Sequence, residues 1–225
     1  MSEDQPSAAD RLLEAALTHV PFDGWCSGVL EAAAEDTGID LALAQAIYPR
    51  GGLDLALAYH RLGDAAMLEA LAGTDLAAMR YRDRVILAVR LRLEQADRES
   101  VRRAATLMAL PQNAPEAARA MWATADAIWN ALGDTSEDGN WYSKRAILSA
   151  VYSATVLFWL GDDSADNTET WAFLDRRIDD VMRFEQSKAK VKASPLLSAT
   201  IGLPLKLLER MKKPQGQGPL PGNWR

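Results

Sequence analysis

Apolar side chains recur along this chain three and four residues apart, the spacing of a helix that buries one face. No stretch alternates apolar and polar residues as a half-buried strand would. Proline and glycine divide the pattern into segments of helical length. The sequence therefore predicts an all-α protein whose helices pack around a hydrophobic core.

Residues 9–71 predict a helix-turn-helix unit. Its helices are expected at 9–18, 27–37, 40–47 and 53–71. The first helix should end before Val20-Pro21, because the residue that precedes a proline is pushed out of the helical region. Ser27 and Asp40 are good N-cap residues, and Gly38 suits the left-handed position at which a helix ends. Two helices, a glycine turn and a short helix are typical of a helix-turn-helix.

Residues 72–192 predict a larger helical bundle. Its helices are expected at 74–95, 98–110, 115–132, 142–160 and 168–190. The segment 142–160 is apolar around nearly its whole circumference, which indicates the buried centre of the bundle. The arginines between 80 and 103 are expected to form a solvated face. Residues 193–213 predict a separate amphipathic helix, and the chain ends, 1–8 and 214–225, are expected to be disordered.

Histidine and cysteine, which are common in catalytic and metal sites, are scarce in this chain. The chain has two histidines, His19 and His60, and a single cysteine, Cys26, which cannot build a typical zinc site. Neither histidine follows a glutamate by three residues, as a di-iron bundle requires. Phosphate-binding glycine loops and nucleophile elbows are also missing. We therefore expect no enzymatic activity and no metal, with Cys26 as a buried structural thiol.

Charge is distributed unevenly along the chain, whose net charge is −6. Residues 1–49 carry nine acidic side chains and one basic one, for a net charge of −8. Residues 176–213 carry ten basic and four acidic side chains, for a net charge of +6. The first segment should be repelled by phosphate and the second attracted to it. The acidic start, MSEDQPSAAD, resembles neither a signal peptide nor a transit peptide, so a cytosolic location is expected.

Two adjacent aromatic residues, Trp141 and Tyr142, stand at a predicted helix start before a lysine and Arg145. Trp141 could fold into the core, with Arg145 paired to Asp138, or the aromatic pair could anchor a partner. Adjacent helix positions are about 100° apart, so both rings cannot point equally inward. The turn at 107–115 leaves the same two alternatives open.

The second half of the chain is rich in large, deformable apolar side chains. They could simply fill a core, or they could line a cavity for a lipid or isoprenoid tail. The candidate lining residues are Leu107, Met108, Met121, Trp122, Ile128, Trp129, Tyr152, Phe158 and Trp159.

The segment 193–213 has apolar residues at helical spacing with cations along the polar edge. It is too short to cross a bilayer but suits a helix that lies in the membrane interface. The alternative is a terminal helix docked on its own bundle or on a second subunit. The candidate membrane-binding residues are Leu197, Ile201, Leu205, Lys206, Leu208, Met211 and Lys212.

Four segments, in this order, resemble the ubiquinone (coenzyme Q) biosynthesis lipid-binding accessory protein family. They are HVPFDGW at 19–25, LMALPQNAP at 107–115, DGNWYSKRA at 138–146 and TWAFLDRRIDDV at 170–181. Weaker helical similarity extends the resemblance over most of 9–213. The Asn-Trp-Tyr-x-x-Arg core at 140–145 is fairly specific, and the joint spacing of the four segments is more so.

The resemblance implies a TetR-repressor-like fold, a homodimer, an apolar pocket for a lipid or isoprenoid with no other cofactor, and a C-terminal membrane-binding helix. It also implies a protein partner, the hydroxylase that acts late in ubiquinone synthesis. The family's partner-binding patch maps onto Leu110, Pro111, Asp138, Asn140, Trp141, Tyr142 and Arg145. A non-catalytic accessory protein is therefore expected at the inner membrane of a bacterium. It would shelter an isoprenoid quinone precursor, or a phospholipid, and present the precursor to the hydroxylase.

A TetR-type transcriptional regulator with a small-molecule pocket is the alternative, since it would share this architecture. A DNA-binding protein gains most of its non-specific affinity by neutralising phosphates. Residues 26–49, which hold the would-be second and third helices, contain no Lys or Arg but four acidic residues, Glu31, Glu35, Asp36 and Asp40. The charge pattern therefore favours a protein that does not bind nucleic acid.

Overall fold

The computed structural model describes residues 6–136 and 139–193, with side chains up to residue 183. These residues form α-helices joined by turns and short 3-10 segments, without a strand. The α-helices are α1 (Ala8–Asp23), α2 (Ser27–Thr37), α3 (Leu41–Ile47), α4 (Gly52–Ala72), α5 (Tyr81–Glu94), α6 (Arg98–Met108), α7 (Ala114–Ala131), α8 (Gly139–Leu160) and α9 (Thr168–Ala193). The predicted all-α class is confirmed.

Helix α1 starts at a reciprocal cap and ends later than predicted. The Ser7 hydroxyl accepts from the Asp10 N–H, and the Asp10 carboxylate accepts from the Ser7 N–H. The helix continues through Pro21 to Asp23, so the predicted end at residue 18 is wrong. Pro21 lies in the last turn, where its missing N–H is the only bond lost, and the Gly24 N–H still bonds the Val20 carbonyl at 2.9 Å.

The turn between α2 and α3 forms as predicted. Gly38 ends α2 with a φ of 65°, and the Asp40 carboxylate caps α3 by accepting from the N–H groups of Ala42 and Leu43. The predicted N-cap of α2, Ser27, lies inside the helix instead. Cys26 holds the cap position and is exposed, so its predicted burial is wrong.

Helix α4 joins two hydrophobic cores. Leu55, near its start, is fully buried among residues of α1–α3, and Met67, near its end, is fully buried in the core of the bundle. The backbone of α4 begins directly against that of Trp25. A Cβ on Gly52 would lie 2.3 Å from the Trp25 carbonyl carbon, so only glycine fits at that position.

The bundle core is formed by α4, α5, α7, α8 and α9. Helix α8 contributes Leu148, Tyr152 and Trp159 to it, all under 5% exposed. Leu157 is 67% exposed, so α8 is not buried around its whole circumference as predicted. The neighbouring helices leave that side of α8 open.

The helix predicted at 74–95 is shorter than expected, because α5 begins at Tyr81. The Asp75 carboxylate accepts from the Ala77 N–H, a local bond that competes with helix formation. Helix α6 likewise stops at Met108, and a 3-10 turn, Pro111–Asn113, leads into α7.

Candidate functional site

A cavity of about 250 Å³ lies where the two cores meet. Helices α4 to α8 all contribute to its wall, which is mostly apolar. Met108 and Met121 are part of the wall, and methionine side chains repack easily around irregular ligands. The lining extends to Ala109 and Leu157, which are exposed, so the cavity opens to solvent on that side. An opening and lining of this kind can hold an apolar ligand.

Buried polar groups form one part of the cavity wall. Arg92 is 4% exposed, and its Nε donates to Asp64 Oδ1 at 2.7 Å while its Nη2 donates to the His60 carbonyl at 2.9 Å. The Thr124 hydroxyl lies 3.0 Å from both oxygens of Asp64. The predicted solvated face of arginines is therefore wrong for Arg92. Its acidic partner lies on α4, 28 positions away, and helical spacing within α5 carries no sign of it.

The hydrogen bonds of this network assign the proton of His60 to Nε2. Arg92 Nη2 lies 3.3 Å from His60 Nδ1 and can only donate, so Nδ1 accepts. Nε2 then donates to the Thr124 hydroxyl at 2.8 Å, and that hydroxyl in turn donates a hydrogen bond to Asp64. Burial lowers the pKa of His60 below its usual 6.5; Arg92 acts in the same direction and Asp64 against it. The histidine is thus neutral, and the charges of Arg92 and Asp64 cancel.

Tyr152 is 3% exposed, and it lines the cavity beside Arg92. Burial raises the pKa of Tyr152 to about 12, so its phenol stays protonated. Within residues 6–136 and 139–193 its hydroxyl makes no hydrogen bond. The hydroxyl of Tyr59, by contrast, accepts from the Asp97 N–H at 3.0 Å.

A second cavity, of about 260 Å³, lies between α5, α7, α8 and α9. Trp129 lines it, and its indole Nε1 is buried without a hydrogen-bond partner. Lys144 also lines it, but its ammonium donates to Asp134 at 2.7 Å. The lysine charge is therefore already paired. Arg82 also lines this cavity and pairs with Asp175 and Asp179, and most of the remaining lining is apolar.

The structure brings together only some of the residues predicted to contact lipid. Met108, Met121 and Tyr152 line the first cavity, and Trp129 lines the second. The other five pack elsewhere: Leu107 on the N-terminal core, Trp122 on the rings of Trp141 and Tyr142, Ile128 fully buried in the bundle core, Phe158 stacked on Phe173, and Trp159 under the guanidinium of Arg98.

Arg145 is the centre of a second buried polar cluster. It is 1% exposed and pairs with Asp126, and its Nη1 donates to Asp134 at 3.1 Å. Its guanidinium also lies 4.1 Å from the centroid of the Trp141 ring, which is 7% exposed. Burial alone would raise the pKa of Asp134, but hydrogen bonds from Lys144, a serine and Arg145 lower it to about 2. Of the two alternatives for Trp141, the structure supports the one that folds it into the core.

The remaining residues of the predicted partner patch are more accessible. Leu110 is 42% exposed, Pro111 is exposed, and Asn140 and Tyr142 are half-buried. The Tyr142 ring packs edge-on against Trp141, with centroids 4.7 Å apart. Asp138 and the seven predicted membrane-binding residues between 197 and 212 lie outside the described residues.

The surface of the helix-turn-helix unit is acidic and apolar. Glu31, Glu35 and Asp36 are exposed, and on α3 Leu41 and Leu43 are 40% and 50% exposed. In the part of the chain that the structure describes, no group of histidine, cysteine and acidic side chains could hold a metal ion. None of the described helices is long and apolar enough to cross a bilayer.

Comparison with known structures places this fold among TetR regulators. A TetR transcriptional regulator from Nitrosomonas europaea matches with a TM-score of 0.59, over 76% of this chain and 95% of the regulator. The two sequences are 18% identical, so the match shows the fold alone. The predicted TetR-like architecture is confirmed.

Sequence comparisons give the family. A family model described as COQ9 matches residues 114–185. The ubiquinone biosynthesis protein COQ9, mitochondrial, of Rattus norvegicus is 31% identical over 201 residues, which cover 85% of this chain and 64% of the rat protein. COQ9-B of Xenopus laevis is 30% identical over 203 residues, 68% of its length, and the Homo sapiens protein is 29% identical over 63% of its length. This chain thus spans just under two thirds of its mammalian relatives. It belongs to the COQ9 family of ubiquinone biosynthesis proteins.

Proposed function

We propose that this protein is a non-catalytic accessory protein of ubiquinone biosynthesis. It binds the membrane, shelters the tail of an isoprenoid quinone precursor, and presents the head group to a partner hydroxylase. The observation that carries the proposal is the open, mostly apolar cavity of about 250 Å³ between the two cores, in a member of the COQ9 family.

A protein carrier lowers the free-energy cost of taking an isoprenoid tail out of the membrane. Each CH₂ group moved from an apolar environment into water costs about 0.8 kcal/mol, so each five-carbon isoprene unit costs roughly 4 kcal/mol. A long isoprenoid tail therefore stays in the bilayer unless a protein offers it an apolar surface. The lining of alanines and methionines provides that surface, and flexible Met108 and Met121 can follow the shape of a branched chain.

The partner surface in this proposal is the edge of α7. The Leu110-Pro111 turn precedes this helix, and Tyr142 packs on its Trp122. Exposed apolar groups beside a rigid buried anchor are the usual core of a protein interface. Trp141 and Arg145 support this surface from below, since both are buried.

Membrane attachment is assigned to residues 193–213. Cations near a membrane of anionic lipids contribute about 1 kcal/mol each, and this segment carries a net positive charge. The pair of substitutions Leu205→Glu and Leu208→Glu should abolish co-sedimentation of the full chain with anionic vesicles. Undiminished co-sedimentation would assign attachment to another segment.

A homodimer belongs to the same proposal. Met182, on α9, is 39% exposed and lies away from the mouth of the first cavity, and a second copy would cover such an apolar side chain. Sedimentation equilibrium of the full chain should give twice the monomer mass, and a monomer at micromolar concentration would remove this part of the proposal.

The lipid-binding claim is tested by native mass spectrometry and lipid extraction on protein purified from its own host. An isoprenoid or phospholipid at fixed stoichiometry is expected. A clean protein mass, with no extractable lipid, would favour an adaptor that binds only proteins. A DNA-binding regulator is disfavoured by the exposed acidic side chains of α2 and by the absence of Lys and Arg from 26–49.

A further inference from the structure

We propose that the second cavity is a ligand site of its own. It takes a small neutral molecule with a mainly apolar body and one hydrogen-bond acceptor, such as a ketone or ether oxygen, which accepts from the indole Nε1 of Trp129. This site does not depend on the function proposed for the first cavity, because the two cavities share no lining residue.

The wall of the second cavity is largely apolar and preformed. Val85 of α5, Leu148 of α8 and Ile178 of α9 bound it on three sides, and each is at most 5% exposed. A volume of roughly 150 Å³ is enough to hold benzene in an apolar protein cavity. The second cavity, at about 260 Å³, therefore has room for a bicyclic molecule. Tyr81 also lines it and is 41% exposed, so solvent reaches the cavity beside the start of α5.

Trp129 supplies an unused donor in this wall. Its ring stacks on that of Tyr81, with centroids 5.8 Å apart. Its Nε1 is buried and has no hydrogen-bond partner in the described parts of the chain. A buried N–H group without a partner costs free energy, and such groups are normally hydrogen-bonded. A ligand oxygen removes this cost, whereas a hydrocarbon of the same shape fills the space and leaves the donor unpaired.

The two cations of the wall, Arg82 and Lys144, are already paired. Lys144 donates to Asp134 at 2.7 Å, and Arg82 donates to Asp179 at 2.6 Å and to Asp175 at 3.0 Å. An anionic ligand that leaves water needs a free cation to compensate it, and a cationic ligand needs a free carboxylate. The wall offers neither, so the cavity favours a neutral ligand.

Three probes with one bicyclic frame test the proposal. Tetralone is a neutral ketone, tetralin is the hydrocarbon without the oxygen, and tetralin carboxylic acid is an anion at neutral pH. Each is titrated into the full chain, whose methionine methyl groups and tryptophan nitrogens carry isotopes visible by NMR. Met182 lines the second cavity and not the first, so its methyl signal gives the dissociation constant for the second cavity alone.

The wild-type chain should bind tetralone about tenfold more tightly than tetralin, the effect of one well-placed hydrogen bond, and more tightly than the carboxylic acid. Tetralone should also move the indole N–H signal of Trp129 downfield, as a new hydrogen bond does, and tetralin should not. Trp129→Phe keeps an aromatic ring without the N–H group, and it should bind tetralone and tetralin equally.

Trp141→Phe is the matched control. The Trp141 Nε1 is another buried indole nitrogen without a partner in the part of the chain that the structure describes, but Trp141 lines neither cavity. The preference for tetralone should survive in this variant. It should also survive in Tyr81→Phe, because the ring of Tyr81 is 41% exposed and water can serve its hydroxyl. The melting temperature of each variant is recorded, so that a folding defect is recognised.

Three results in the wild type would overturn the proposal: no binding of tetralone, equal affinity for tetralone and tetralin, or tighter binding of the carboxylic acid. A preference that persists in Trp129→Phe and disappears in Tyr81→Phe would also overturn it, because the donor would then be the phenol. If Trp129→Phe does not fold, the three wild-type affinities decide. The lipid-binding function of the first cavity is tested separately, so the two can fail independently.

Discussion

Replacing Arg92 by methionine should destabilise the protein far more than a typical loss of a surface charge. The change leaves the Asp64 carboxylate, 9% exposed, without its closest partner and removes the bond to the His60 carbonyl. Loss of one member of a buried pair costs about 3–5 kcal/mol. Thr124 still offers one donor to Asp64, so a loss near 3 kcal/mol is expected. Urea unfolding followed by circular dichroism measures it.

Arg90→Met is the matched control, because it makes the same change on the same helix. Arg90 and its partner Glu94 are 42% and 43% exposed, and a pair of this kind contributes under about 1 kcal/mol. The double variant Asp64→Leu with Arg92→Met should be more stable than Arg92→Met alone, because no unpaired charge remains buried. Equal costs for the Arg90 and Arg92 variants, or no recovery in the double variant, would refute the proposed pair.

Three further predictions follow from the same region and from the partner surface. Gly63→Ala places a Cβ 2.5 Å from the guanidinium carbon of Arg92, which its bonds hold in place, and should lower the free energy of unfolding in urea by about 1–3 kcal/mol. Gly73→Ala is its control: the nearest atom to the new Cβ lies 3.7 Å away, so this change should be neutral or stabilising. Because burial lowers the pKa of His60, the unfolded chain gains a proton below pH 6.5 that the folded chain does not, and the free energy of unfolding should fall there by up to about 1.4 kcal/mol per pH unit. If His60→Gln leaves this dependence of stability on pH unchanged, the loss belongs to other groups. Trp141→Ala should cost about 3–5 kcal/mol, because its ring is buried. Tyr142→Lys should cost clearly less, because Tyr142 is only half-buried, yet it should abolish capture of the proposed partner hydroxylase. Intact capture by the Tyr142 variant would move the partner surface elsewhere.

Local signals in the sequence located most helix ends correctly. Gly38 and Asp40 act through their own backbone or side chain, and both do in the structure what their type predicts. The errors occur where a neighbouring bond outweighs a local preference. Pro21 stays in α1 because the last turn tolerates it, and Asp75 delays the start of α5 by bonding its own loop.

The cavity is harder to predict from the sequence than the helix ends are. Met108 and Met121 are recognisable in the sequence as large apolar residues, but the space itself is created by alanines such as Ala105 and Ala117, whose small volume leaves no mark in a hydrophobic pattern. His60, Arg92 and Tyr59 were missed as lining residues because their bonds join helices far apart in the sequence. For the same reason the pairing of Arg145 with Asp126 and Asp134 did not follow from its position after Tyr142.

In the proposed function, the first cavity carries an isoprenoid tail through water. The most direct test is the rate at which the protein moves a radiolabelled polyprenyl quinone from donor to acceptor vesicles. Ala109→Trp blocks the exposed mouth of the cavity at little folding cost, and Ala123→Trp makes the same change at an exposed position of α7 outside that lining. Transfer should be fast with the wild type and with Ala123→Trp, and should fall to the protein-free rate with Ala109→Trp. Equal transfer by both variants would contradict the proposed role of this cavity.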